Sequence, residues 1–117
     1  MDFDQAVAAH TAWKRKLAKY LDKPDGSLEP LDVSVDNACP LGQWIYSMEA
    51  TLSNFPEYSA LRGHHARFHR AAADVVHCAN SGQSVDERIT IGSQSEFTMA
   101  SSAVVLAIMA IKKHVDQ

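Results

Sequence analysis

Apolar residues recur every three or four positions along most of this chain, and several of the polar residues sharing their stripes are histidines. That periodicity is helical. Phe3, Val7, His10, Lys14, Leu17 and Leu21 form the first stripe, with Ala6, Trp13 and Tyr20 beside it. Asp2 supplies an N-cap and Gln5, three residues on, completes a capping-box pattern. The Lys14 stem can lie along the apolar surface with its charge in water. Lys23-Pro24-Asp25-Gly26 ends this helix.

A second long stripe, Leu61, His65, Phe68, His69, Ala72, Val76 and Ala79, predicts a helix from about Pro56 to Ala79, stopped by Asn80-Ser81-Gly82. A further helix starts at Ser84, where Glu87 completes another capping-box pattern. It continues to about Val115 through Phe97, Ala100, Val104, Ile108 and Ile111. A short helix from about Pro40 to Leu52 precedes both, apolar at Trp44, Ile45, Met48 and Leu52. Pro40 suits its first position, where a missing N–H costs nothing. Residues 24 to about 38 hold two prolines, three aspartates and no clean period, so they read as an irregular loop. A loop of that length is usually functional or tied down. Nothing reads as a strand: Ile89-Thr90-Ile91 is β-prone but short and flanked by helical pattern. The expected fold is all-α, an antiparallel four-helix bundle with one long irregular loop and a short second helix, forming a single domain over residues 1–117.

Composition excludes several function classes. A length of 117 residues has no room for separate cofactor and substrate domains, and no G-x-G-x-x-G follows a strand-like run. With 46% hydrophobic and 21% charged residues the chain is ordinary globular material rather than disordered. A net charge of −3 provides no broadly basic face, and Lys14-Arg15-Lys16 is too short a run for nucleic acid. Two cysteines are too few for a disulfide scaffold. The first residues lack a signal-peptide pattern, and the longest apolar run, Ala103 to Ile111, falls short of the roughly 20 residues a spanning helix needs. The expectation is a soluble, cytoplasmic protein with no membrane insertion. The start at Met1 with a well-formed cap favours a complete short protein.

The chemistry concentrates in His10, His65, His69 and Cys39. An unpaired buried imidazole is costly, so each histidine on a core stripe needs a partner. His65 and His69 are four apart, hence adjacent on one helix face. They serve equally well as satisfied core histidines or as ligands that give their neutral lone pairs to a divalent metal. Cys39 precedes Pro40 and so sits at the N-terminus of the short helix. Alone it reads as a small buried apolar residue, or as a thiolate favoured by the helix dipole.

Cys39-Pro40-Leu41-Gly42-Gln43-Trp44 resembles the C-x-L-G-x-W signature of the chemoreceptor zinc-binding domain family. His10-Thr11-Ala12-Trp13 is similar to that family's first-helix H-x-x-W, and His65-Ala66-Arg67-Phe68-His69 to its third-helix H-x-x-F-H. The order and spacings also match, across residues 10–69. The resemblance implies a zinc ion held by His10, Cys39, His65 and His69, a site closed by four protein ligands. It further implies a cytosolic sensory or regulatory module of bacterial chemotaxis or cyclic-di-GMP signalling rather than an enzyme. Such modules are typically homodimeric, and zinc occupancy or cysteine oxidation alters the packing of the first helix and the output. No signalling hairpin or cyclase accompanies this domain in the sequence, so the output protein would be fused elsewhere or act in trans.

Two other readings belong to different classes: a zinc enzyme with one labile ligand position, for which Glu96 is a thin candidate base, and a metal-free dimerisation bundle. His64 lies about 100° from His65 around the helix and is the expected decoy. Cys78 lies about 180° from His69, so His77 and Cys78 are expected outside the ligand set. His114 suits the last-turn dipole. Trp13 and Trp44 are expected in the core, and Gly42 is expected to permit a close helix approach. Because Ala103 to Ile111 is apolar around its whole circumference, a second copy of the chain is expected to cover part of it.

Overall fold

The computed structural model describes residues 2–23, 25–37, 39–80 and 96–115. Six helices occur among them: α1 (Phe3–Asp22), α2 (Pro30–Ser34), α3 (Pro40–Ser47), α4 (Glu49–Leu52), α5 (Pro56–Asn80) and α6 (Glu96–Val115). No strand occurs among the described residues, so the fold is all-α as expected. The start of the last helix at Ser84, its Glu87 cap partner and the Ile89-Thr90-Ile91 triplet lie outside the described residues.

Helix α1 begins as its sequence dictates. The Asp2 carboxylate accepts the Gln5 N–H at 2.7 Å, and the Gln5 side chain accepts the Asp2 N–H at 2.8 Å. Two of the N–H groups that a helix start leaves without partners are thereby satisfied. Ala6, His10, Leu17 and Leu21 turn inward. Helix α5 buries Leu61, His65, Phe68, His69, Ala72, Val76 and Ala79, the whole of its expected stripe. Helix α6 likewise buries Phe97, Ala100, Val104, Ile108 and Ile111, and adds Ser101 and Ala107.

Cross-helix contacts fix the directions. His10 and Tyr20 of α1 meet Phe68 and Asn80 of α5, so these two helices run the same way. Lys112 pairs with Asp4, and His114 with Glu57, so α6 runs against both. Cys39 opens α3 beside His65 and His69, whereas the Ile45 carbonyl accepts from the Tyr58 hydroxyl at 2.6 Å. Helix α3 therefore also runs against α5. Phe68 is the hub, with its ring packed on His10, Trp13, His69 and Phe97. Truncation of such a ring to alanine typically costs about 3–5 kcal/mol.

Two elements differ from expectation. The connection expected to be irregular contains α2, a five-residue helix with Pro30 at its first position and Val33 buried. One turn is too short for periodicity to register. The segment is also tied down: the Tyr20 hydroxyl accepts from the Gly26 N–H, and Asn80 donates to the Leu28 carbonyl. Gly26 turns the chain at φ +79°, a conformation open to glycine at little cost. The second difference is that the helix expected over 40–52 breaks at Met48 (φ −92°, ψ 5°) into α3 and α4. The Ser47 hydroxyl donates to the Trp44 carbonyl at 2.7 Å, and the Met48 N–H is shared between the Trp44 and Ile45 carbonyls. Such local hydrogen bonding competes with the helical ladder.

By length and composition α6 would pass for a membrane-spanning helix, with a mean hydropathy of 1.3. Here it lies against α5 through its buried stripe.

Candidate metal centre

The local sequence places the donors. Cys39 is the N-cap of α3, and its Sγ accepts the Gly42 N–H at 3.2 Å, the role a serine or aspartate oxygen usually fills. Gly42 makes this approach possible. A Cβ there would lie 2.8 Å from the Asp36 carbonyl carbon and 3.1 Å from His65 Cε1. The expectation of a close approach holds; the close partners are the chain after α2 and the His65 ring of α5. His65 and His69 project from adjacent turns of α5 and are 1% and 2% exposed.

Three donor atoms converge. Cys39 Sγ lies 3.4 Å from Nε2 of His65 and 3.4 Å from Nε2 of His69. The two Nε2 atoms are 3.1 Å apart. Tetrahedral zinc with ordinary bond lengths would set its ligand atoms about 3.3 Å apart for N···N and about 3.6 Å apart for S···N. The triangle is thus one face of such a tetrahedron, slightly contracted.

Proton placement sharpens the point. His69 Nδ1 lies 2.8 Å from the Val33 carbonyl. A carbonyl only accepts, so in the neutral ring Nδ1 carries the proton and Nε2 carries the lone pair. A single in-plane lone pair cannot serve both His65 and Cys39 well, whereas a cation among the three atoms meets all of them. A histidine that turns one nitrogen inward and gives its other N–H to a carbonyl matches the usual support of a metal ligand.

Electrostatics prepare the imidazoles. Burial lowers the pKa of His65 to about 3, assisted by His69 and His10. Burial lowers that of His10 to about 4, assisted by Lys14 and His69. His69 is lowered by burial as well, opposed by its Val33 carbonyl bond. The first two are neutral at pH 7, as metal ligation requires. Cys39 departs from the sequence argument. Burial raises its thiol pKa, and the helix-terminal N–H groups of Gly42 and Leu41 only partly offset this. Position at a helix N-terminus therefore does not by itself make Cys39 a thiolate; a bound cation would have to displace the proton.

His10 borders the same small pocket as the triad, a space of about 10 Å³ shared with Cys39, His65 and His69. It does not join the three donors that lie within 4.8 Å of one another. Its Nε2 instead lies 2.8 Å from Ser101 Oγ on α6.

A family model for the chemoreceptor zinc-binding domain matches residues 10–76 of the 117. The chain belongs to the chemoreceptor zinc-binding domain family. No curated protein and no solved structure matches it significantly. The span of this zinc-binding-domain match opens on His10 and takes in Cys39, His65 and His69, and it ends before α6.

Within this domain the remaining candidates fall away from the centre. His64 is half-buried beside the Arg67 guanidinium, 3.1 Å from its Nδ1. His77 is exposed and Cys78 half-buried, and neither belongs to the converging donors. Glu96 is exposed rather than inward. His114 pairs with Glu57 at 2.9 Å. Trp13 packs edge-to-face with His69 and Trp44 with Phe3; Trp44 is buried in the core as expected, whereas Trp13 is half-buried against it. Sequence reasoning missed two supports, Ser101 and the Val33 carbonyl. Ser101 was findable, since a serine beside Ala100 on a core stripe needs a buried partner. Val33 was not, because it acts through its backbone.

Proposed function

We propose that this chain is a zinc-binding sensory domain whose ion is held by Cys39, His65, His69 and His10. The observation that carries the reading is the triangle of Cys39 Sγ and the two Nε2 atoms, 3.1 to 3.4 Å on each side. Zinc supplies no redox chemistry of its own; it would cross-link α1, α3 and α5. Four protein ligands leave no position for a substrate water, which favours structural sensing over hydrolysis.

Either zinc occupancy or oxidation of Cys39 is the sensed event. An open groove of about 270 Å³ borders Cys39 and His69, and this supports access by a small oxidant. Loss of the Cys39 bond would free the start of α3 and, through His69 and Val33, the α2 segment. The output is a chemotaxis or cyclic-di-GMP signalling protein, fused or in trans, in the cytoplasm. The domain acts as a homodimer through the outer face of α6.

Elemental analysis of the purified full-length chain tests the centre. One zinc per chain is expected, with strong loss in Cys39→Ser, His65→Ala and His69→Ala. Purified protein that neither carries zinc nor takes it up on titration would overturn the reading.

A further inference from the structure

Ser101 is the one buried hydroxyl side chain that α6 turns inward among the described residues, and it is 1% exposed. Its Oγ lies 2.8 Å from Nε2 of His10 on α1. Ser101 does not border the small pocket that His10 shares with Cys39, His65 and His69. Nε2 of His10 is therefore engaged by α6. The nitrogen left to offer a lone pair is Nδ1.

We propose that Ser101 is a positioning residue for His10, accepting its Nε2–H and so placing the ring's lone pair on Nδ1. His10 is then an Nδ1 ligand, opposite in sense to His65 and His69, which offer Nε2. The proposal rests on the zinc reading above and deepens it. His69 supplies the precedent within this molecule: one nitrogen turned to the site, the other held by an outer partner, the Val33 carbonyl. Metal-bound histidines generally need such an outer partner, which fixes the tautomer and the ring orientation. A serine hydroxyl can accept or donate, and only the accepting arrangement leaves His10 able to bind a cation.

The consequence reaches beyond the matched span, which ends at residue 76. Because the hydroxyl holds the ring, a shift of His10 toward the other three donors pulls on α6. That helix carries the exposed Met99, Leu106 and Met109. Ser101 thereby links the metal centre to the outer face of the domain by one hydrogen bond.

The test uses the full-length chain loaded with zinc or with cadmium. Long-range proton–nitrogen NMR should find His10 protonated at Nε2 and coupled to cadmium through Nδ1, with His65 and His69 coupled through Nε2. Ser101→Ala should lower zinc affinity by about 10- to 100-fold in competition with a chromophoric chelator. It should also mix the His10 tautomers while leaving those of His65 and His69 unchanged. Ser101→Thr, which keeps the hydroxyl, should restore the His10 signature. A purely packing role for Ser101 would not move the tautomer. Coupling of His10 through Nε2, or a Ser101→Ala protein that binds zinc as tightly as the parent, would overturn the proposal and leave the zinc reading intact, whereas no coupling of His10 at all would overturn the proposal and also remove His10 from the ligand set. A chain that takes up neither metal would overturn both.

Discussion

Histidine burial gives this domain a pH dependence that can be stated with its sign. In the metal-free protein, burial holds His10 near pKa 4 and His65 near 3, well below the ordinary 6.5. Folding therefore favours their neutral forms. The stabilisation is complete above about pH 6.5 and is lost as pH falls toward those depressed values. Each pKa unit corresponds to about 1.4 kcal/mol, so between about pH 6.5 and about pH 5 the two rings together withdraw on the order of a few kcal/mol. Thermal melts in excess chelator should show a clear fall in midpoint between about pH 7 and about pH 5. A midpoint constant over that range would mean that the rings reach solvent. At the same scale, His65→Ala and His69→Ala should each lose zinc strongly while His64→Ala keeps it, measured by chelator competition. Equal loss in all three would show that the inward face of α5 is misassigned.

Helices respond to changes that single contacts do not reveal, and two glycines of the same residue type separate the cases. At Gly42 an added methyl would press on the Asp36 backbone and the His65 ring. Gly42→Ala should destabilise by about 1–3 kcal/mol, the usual cost of overpacking, and should also weaken zinc binding. Gly63, on the exposed face of α5, has nothing within 4 Å of an added Cβ. Gly63→Ala should stabilise by about 0.5–1 kcal/mol, since alanine is the better helix former. Urea denaturation of the two variants should move in opposite directions. A rise in stability for Gly42→Ala would contradict the close approach of the α2–α3 segment. Metal removal belongs to this scale too: amides of α1 and α2 should exchange faster in chelator, because His10 and the Val33–His69 bond are what couple those helices to the centre. Uniform exchange across the chain would instead indicate global unfolding.

Across the whole molecule, the outer face of α6 is the feature least explained by one copy of the chain. Met99, Leu106 and Met109 are 61%, 70% and 45% exposed. Met99 and Leu106 are seven apart and Met109 three further on, the spacing of a helix–helix seam. A two-fold pairing of this stripe against itself would cover it. The full chain should sediment as a dimer at micromolar concentration, and Leu106→Glu should shift it to monomer with the helix content retained. A parent chain that sediments as a monomer would remove the dimer from the functional account.

Helical periodicity made the three long helices legible because each buries a continuous stripe, and a stripe is a property of local spacing. The converging of Cys39, His65 and His69 was legible through motif and order, since two of the donors sit on adjacent turns of one helix face and the third caps another helix. Neighbours in sequence left no mark on what depends on packing between distant segments. The one-turn helix α2, whose backbone carbonyl orients His69, has no period to read. The break at Met48 accompanies a shared N–H and a serine hydroxyl bond that no periodicity records. The thiol state of Cys39 is set by burial that outweighs its helix terminus. The partner of His10 sits on a helix 91 residues away in the chain. Sequence alone determined the main inward stripe of α5 and α6 and which of the stripe residues carry donor atoms. Tertiary structure decided which nitrogen His69 and His10 have free, because a tautomer is chosen by the partner across the interface and not by the helix that bears the ring.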